Sequence, residues 1–363
     1  MKNTVDNLVQ FSTNSLNNEE LARCFLDYWY HDQNIVGRFD ATISLDEKEA
    51  MLNKALKEEI IMRANLGNMA ERPVEEWFFF PNVAPAAFSV VGALIDMILP
   101  DSIINTIGTY ADVSVIGWGD SASFDIEPRD LFVVSRGTLG KREAEVKKQW
   151  RGQVTIVPDV HAITTGVSLY RVLSGKESLA VFTMKAIKSI ETQMTVDVYK
   201  TMAATMAALP TTATTGLLIS GYTQAGLVRL AEQVTAWNGG AKAILLGTSV
   251  GLLNVLPNDA NYRYDLVSQY VSIGHIPTIS GIDVMRLPQV ADIYTPWGRV
   301  LSDSVLWILS PSANKVIKLV LEGNTLANTT RDFEKADLKQ TTTLWKSWGV
   351  GVASNATVGQ ITL

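Results

Sequence analysis

The chain has 363 residues, 47% of them hydrophobic and 19% charged, with a net charge of −6. That is enough apolar residue for a sizeable core, and the length suggests about two domains. The negative balance argues against a protein that grips phosphates over its whole surface. A single cysteine, Cys24, excludes an internal disulfide framework and suits a reducing cytoplasm. The start Met1-Lys2-Asn3-Thr4-Val5-Asp6 has neither the basic start nor the apolar centre of a signal peptide. No run of about 18 apolar residues predicts a membrane span. Charged content below the usual ~25%, together with nine tryptophans, fits a chain that buries surface against other chains.

In chain order, Asn17-Asn18-Glu19-Glu20 reads as a helix start, with Leu21, Phe25 and Tyr28 or Trp29 on one apolar face. A second helix is expected from Ser44, with Glu47 three residues on as its capping box and Met51, Leu52, Leu56, Ile60 and Ile61 as its apolar stripe. From Asp40 to Glu76 there are nine acidic and five basic residues. This excess is either a solvated helix face or a docking surface for a basic element. The segment from Glu75 to Ile107 then turns strongly apolar, and a short helix is expected between Pro85 and Pro100. Trp77-Phe78-Phe79-Phe80 is expected in a core, formed within the chain or against another subunit.

Residues 111–165 predict a two-stranded arm, with strand signals at Val113–Ile116, Phe124–Ile126 and Leu131–Val134 and a return strand at Val154–Val157. Between them, Arg136 to Arg151 holds six basic and two acidic residues and almost nothing apolar. A hairpin leg of ~15 residues would span ~50 Å, too far to stay on one compact domain. It is either a projecting element that needs a partner surface or a solvated loop. From Lys176 to Leu209 there is no Gly or Pro, and Phe182, Ala186, Ile190, Met194, Val198, Met202 and Met206 recur every four residues. This predicts a helix about 50 Å long, with the methionines as packing residues.

Residues 210–310 alternate. Leu217–Ser220, Ala243–Gly247, Ile282–Met285 and Val305–Leu309 read as buried strands. A helix is expected over Gln224 to Trp237, with short elements at Ser249–Leu256 and Tyr262–Tyr270. Ile317–Val320 and Val350–Ala353 are expected to return as strands beside the long helix.

No catalytic constellation emerges. His31, His161 and His275 lack metal-ligand spacing to Cys24 or to each other. Gly247-Thr248-Ser249-Val250-Gly251 lacks the lysine of a phosphate loop. Gly119-Asp120-Ser121 and Gly166-Val167-Ser168 fail at the second glycine of a nucleophile elbow. No enzyme, cofactor or metal is expected.

The segments Lys242–Thr248, Gly281–Val284, Ile308–Pro311, Lys318–Asn324, Phe333–Leu338 and Trp348–Val352, with the tail Asn355–Ile361, follow in an order and spacing that resembles the major capsid protein of tailed bacteriophages. That is the Hong Kong 97-type fold, shared with encapsulins. The resemblance covers roughly residues 75–363. It implies an α+β chain with an N-terminal arm, helical and extended (1–75), a lead-in to the peripheral domain (76–110) and an extended β-hairpin loop (111–165). A peripheral domain with a spine helix (166–209), an axial α/β domain (210–310) and returning peripheral-domain strands (311–363) complete it.

The function implied is self-assembly as hexamers and pentamers into an icosahedral phage head enclosing double-stranded DNA, built in the bacterial host's cytoplasm. The alternative is an encapsulin-type shell packaging a cargo enzyme, and a remote one is an enzyme of unknown class. Implied partners are copies of itself, scaffolding, portal and decoration proteins, and DNA held by weak non-specific contact. With Met1 present, no scaffold segment is expected to be cleaved from the N-terminus, so scaffolding would be a separate protein or none. In this setting Arg136, Lys141, Arg142, Lys147, Lys148 and Arg151 are expected to contact Asp46, Glu47, Glu49, Glu58 and Glu59 of a neighbour.

Overall fold

The computed structural model describes residues 19–67, 73–77, 80–126, 151–167, 169–209, 216–255, 274–292, 295–311, 315–331 and 340–363. Outside these fall the expected strand Leu131–Val134, the element Tyr262–Tyr270, Phe78, Phe79 and the Phe333–Leu338 segment.

Helix α1 (Glu19–Asp32) buries Leu21, Phe25, Tyr28 and Trp29, so the helical spacing of these apolar residues is realised as packing. Helix α2 (Leu45–Arg63) begins as expected. Ser44 caps it, its Oγ accepting from Glu47 N–H at 3.3 Å, while Glu47 Oε2 accepts from Ser44 N–H at 3.3 Å. Leu52, Leu56 and Ile60 are buried, but Met51 is 55% exposed. At about 100° per residue it stands off the Leu52–Leu56–Ile60 row, which corrects its place in the stripe. A one-turn helix, α3 (Val74–Trp77), buries Trp77.

Helix α4 (Val83–Ile107) is longer than expected and runs through Pro100. Pro85 lies in the first turn, where a missing N–H costs nothing. Pro100 does remove an internal bond, a cost of about 3 kcal/mol. Burial of Ile103 and Ile107 beyond it offsets that cost. This helix is long and apolar enough to cross a membrane by composition, yet most of its apolar window is buried inside the protein.

The body is built on a four-stranded sheet. In sheet order its strands are β1 (Ala111–Ile116), β10 (Ile317–Arg331), β11 (Gln340–Val352) and β4 (Asp159–Val167). β1 pairs parallel with β10, and β10–β11 and β11–β4 pair antiparallel. One face carries Leu319, Leu321, Leu344 and Trp348 into the main core with α4 and the long helix α6 (Leu179–Ala207). After a short α5 (Leu169–Leu173), α6 follows the predicted stripe, with Ala186, Ile190, Met194, Val198, Met202 and Met206 all buried.

Polar joints fix the helices. Asn53 of α2 accepts from Ala180 N–H at 3.3 Å and donates to Ser178, the α6 N-cap, at 2.9 Å. Asp101 of α4, 6% exposed, accepts from Tyr30 OH at 2.8 Å, Arg38 at 3.1 Å and Asn105 at 3.0 Å. Asp101→Ala would leave Arg38 and the Tyr30 hydroxyl without their shared acceptor. The expected loss is about 3 kcal/mol, read as a lowered urea midpoint with an unchanged slope.

The second unit is a six-stranded sheet in the order β5 (Leu218–Ser220), β12 (Gly359–Thr362), β9 (Val305–Leu309), β6 (Ile244–Gly247), β8 (Ile282–Arg286) and β7 (Thr278–Ile279). Alternation divides it cleanly. Leu245, Leu306, Ile308 and Ile361 face helix α7 (Gln224–Trp237) in a core of their own. Ile244, Leu246, Trp307 and Leu309 face the main core. The short helix α8 (Ser249–Leu253) follows β6. The last strand, β12, pairs parallel with β5 and antiparallel with β9. This corrects the expectation that everything after 311 returns to the first sheet: β10 and β11 do, and β12 does not.

Candidate assembly surfaces

The strand expected to open the arm, Val113–Ile116, belongs instead to the body sheet, where Ala111–Ile116 pairs with Ile317–Glu322. The arm proper begins after the turn Gly117–Asp120. Its described residues form β2 (Ala122–Ile126) and β3 (Gly152–Ile156), antiparallel from Ala122↔Ile156 to Ile126↔Gly152. β4, which follows β3 closely, is also a body strand.

The root of the arm rests on the outer face of the four-stranded sheet. Ala122, Ile156 and Val320 form a separate small cluster, joined by Ile116, Phe124 and Val154. Two glycines of β11 make this possible. A Cβ at Gly349 would lie 3.0 Å from Ile156 Cγ2, and one at Gly351 would lie 2.6 Å from Ile156 Cδ1. Lys318, only 4% exposed, pairs with Asp112 at 3.0 Å and sits 5.5 Å from the centre of the Phe124 ring. Burying that ammonium demands both partners, a carboxylate and an aromatic face. Of the β2 side chains, Ala122 shares the cluster with Val320 and Phe124 lies under the Lys318 ammonium.

Gly351→Val places branched methyls where Ile156 lies. The expected cost is about 1–3 kcal/mol, concentrated at the arm. Hydrogen exchange is expected to show faster amides in β2 and β3, with α6 unchanged.

Of the acidic residues proposed for contact, Asp46, Glu47 and Glu58 are exposed. Glu47 is also committed to the α2 cap. Glu49 is half-buried at a cleft of about 260 Å³ that also holds Lys57, Lys176 and Glu177. Glu59 is fully buried and paired with Arg63 of its own helix at 2.9 Å, which takes it out of any surface set. Of the basic residues, Arg151 is exposed just before β3, while Arg136, Lys141, Arg142, Lys147 and Lys148 lie outside the described residues. Among the described residues no ion pair joins Arg151 to these acids.

Exposed apolar side chains mark surfaces that the sequence did not single out. Met51 and Met62 flank Glu58 on α2. Val115, Trp118 and Leu326 border a cleft of about 490 Å³ at the arm root. Trp297 is fully exposed at the tip of a turn closed by Gly298 N–H to Thr295 O at 2.8 Å and Asp292 N–H to Gly298 O at 3.0 Å. A bare tryptophan on a tied-down turn has the character of an interface anchor. His31 stacks on Phe39 and His161 on Trp348, with ring centroids 4.4 Å and 3.5 Å apart. Among the described residues no group of three or more His, Cys, Asp or Glu converges.

No family model matches the chain, and no curated protein matches it. Among solved structures it is similar to the mature capsid of bacteriophage PhiM1, with 12% identity, 70% of this chain and 86% of that chain covered and a TM-score of 0.45. It is also similar to the capsid of the native GTA particle, at 12% identity, 71% and 96% covered and a TM-score of 0.49. A third is the capsid of the cyanophage P-SCSP1u, at 14% identity, 70% and 86% covered and a TM-score of 0.38.

Proposed function

We propose that the chain is a major capsid protein of the Hong Kong 97 type, a structural, non-catalytic subunit that assembles as hexamers and pentamers into an icosahedral phage head around double-stranded DNA. The observation that carries this reading is the arm. Two strands, β2 and β3, rest on the body sheet at their root, through Ile156 on Gly349 and Gly351 and Phe124 over Lys318. A two-stranded ribbon is marginal alone in water, so a continuation of the ribbon between Ile126 and Gly152, as the sequence leads one to expect, would need a surface supplied by another copy. The same holds for Trp297, whose burial would contribute about 1.5–3 kcal/mol or more once covered.

In this reading the body with α4, α6 and the four-stranded sheet is the peripheral domain. The six-stranded sheet with α7 and β12 is the axial domain, and residues between β1 and β4 form the extended loop. The expected N-terminal arm over 1–75 is corrected: α1 and α2 pack into the main core, so in this reading Glu19–Arg63 belongs with the body. DNA would meet the inner surface through weak, sequence-independent contacts, since the chain carries net charge −6. Portal, scaffolding and decoration proteins are the further partners of such a shell.

Negative-stain microscopy and light scattering of the expressed chain test the proposal, alone and with the scaffolding protein of its own source. Closed shells, or rings of five and six, are expected. A persistent monomer of 39.7 kDa under both conditions overturns it. Nucleic acid inside the native particle is expected, and a packaged enzyme in its place would redirect the reading to an encapsulin-type shell.

A further inference from the structure

Where arm and body meet, β10 is irregular. Between the pairs Glu322↔Ser347 and Leu326↔Trp345, three residues of β10 (Gly323, Asn324 and Thr325) stand against the single residue Lys346 of β11. A bulge of this size leaves backbone groups without ladder partners, and two buried charges take them up. Lys346 Nζ donates to Gly323 O at 2.6 Å and to Asp96 Oδ1 at 2.7 Å. Asp96, on α4, accepts Thr325 N–H on Oδ2 at 2.7 Å and the Thr325 hydroxyl on Oδ1 at 2.6 Å. Asp96 is 8% exposed and Lys346 7%.

The turn that launches the arm rests on the same bulge. Gly119 N–H donates to Glu322 Oε1 at 2.7 Å. The Trp118 indole lies so close to Gly323 that a Cβ there would fall 1.9 Å from Trp118 Cδ1, and Gly323 has φ +50°, which favours glycine. Beside this contact the cleft of about 490 Å³, bordered by Pro100, Val115, Trp118, Leu326 and the Asp96–Lys346 pair, gives the turn room to move. A buried ion pair is a weak source of net stability, and its best-attested use is to select one geometry over others.

We propose that Asp96 and Lys346 form a latch: by fixing the Gly323–Thr325 bulge they fix the direction in which the arm leaves the body. Releasing the pair frees the turn at Trp118 to shift into the cleft, with the core of α4 and α6 intact. These are positioning residues, acting on the arm through the bulge. The inference does not depend on shell formation, and its test uses the isolated full-length chain.

Nitroxide labels at Ser123→Cys on β2 and Lys185→Cys on α6, both exposed sites, in a Cys24→Ser background, report the arm-to-body distance by pulsed electron resonance. A single narrow distribution is expected for the parent. Lys346→Met, which releases the pair, and Gly323→Ala, which expels Trp118 while keeping both charged side chains, are each expected to widen it by about twofold or more, with α-helical circular dichroism unchanged. Asp96→Asn, which keeps an acceptor for Thr325, replaces Lys346→Met should that variant fail to fold. Parent-like widths in the pair variant or in Gly323→Ala overturn the latch. Widening accompanied by loss of helix overturns it as well, since the pair would then act on the whole body.

Discussion

Raising the pH from 9 to 11 is expected to remove a large part of the stability of the isolated subunit. Four tyrosines in the main body, Tyr28, Tyr30, Tyr110 and Tyr199, are each less than 5% exposed. Burial pushes the Tyr28 hydroxyl up to about 12, helped by Glu49, Asp32 and Asp46 nearby. It raises Tyr30 further, where Asp101 accepts the phenol proton at 2.8 Å and favours the neutral form. Burial also raises Tyr110 and Tyr199, whose rings stack with centroids 6.3 Å apart.

The sign follows from which state gives up protons. Unfolded tyrosine ionises near 10 while the folded chain holds its protons. The stabilisation is therefore complete below about pH 10 and is lost as the pH climbs toward the folded values. Each of Tyr28, Tyr30 and Tyr110 removes about 1.4 kcal/mol per pH unit above 10, so the three together remove on the order of 4 kcal/mol by pH 11, and Tyr199 acts in the same direction. That is a large fraction of the whole stability of many domains, about 5–15 kcal/mol. Urea midpoints at pH 8, 10 and 11 check it, and a midpoint constant across that range refutes it. Tyr28→Phe with Tyr110→Phe is expected to reduce the slope above pH 10 by about half or more.

What the sequence made legible was local. The Ser44–Glu47 capping box, the four-residue rhythm of α6 and the span of α7 each depend on neighbours within a few positions, and all three are present as read. The misreadings are long-range. Val113–Ile116 has strand composition, but its partner β10 lies some two hundred residues on and runs parallel to it. No short-range turn signal betrays such pairing. β12 enters the six-stranded sheet from the chain's far end for the same reason. The two-proline frame around α4 failed because a proline stops a helix only where burial beyond it is weak, and Ile103 and Ile107 are fully buried.

The candidate surface was half legible. The arm was visible in β-branched residues flanking a basic segment. Its seat was not, although Gly349-Val350-Gly351 inside a strand is a signal that something approaches the backbone closely. Asp96 and Lys346 gave no sequence signal, being 250 positions apart.

The proposed contact between the basic segment of the arm and the acidic face of α2 predicts the second large effect. Asp46 and Glu58 are the residues to reverse. Both are exposed, whereas Glu47 holds the helix cap, Glu49 lies in a cleft and Glu59 is buried with Arg63. Asp46→Lys with Glu58→Lys is expected to leave the subunit's melting within the range of ordinary surface changes, about ±0.5 kcal/mol each. Assembly is a different matter, because the contact recurs at every copy and like charges would then face each other. Yield of closed particles at low salt is expected to fall by about tenfold or more.

Reversing the arm as well, with Lys141→Glu, Arg142→Glu, Lys147→Glu and Lys148→Glu, is expected to restore particles. Each set of changes alone should block them. Salt supplies the control. At ~1 M ionic strength the screening length shrinks to about 3 Å, so the parent should assemble less readily and the difference between parent and reversed chains should narrow. Rescue by the combined reversal would place the two segments against each other in the assembled particle. Failure of the combined chain, with both single sets still folded, would separate them and leave the exposed Met51–Met62 face and Trp297 as the surfaces on which copies meet.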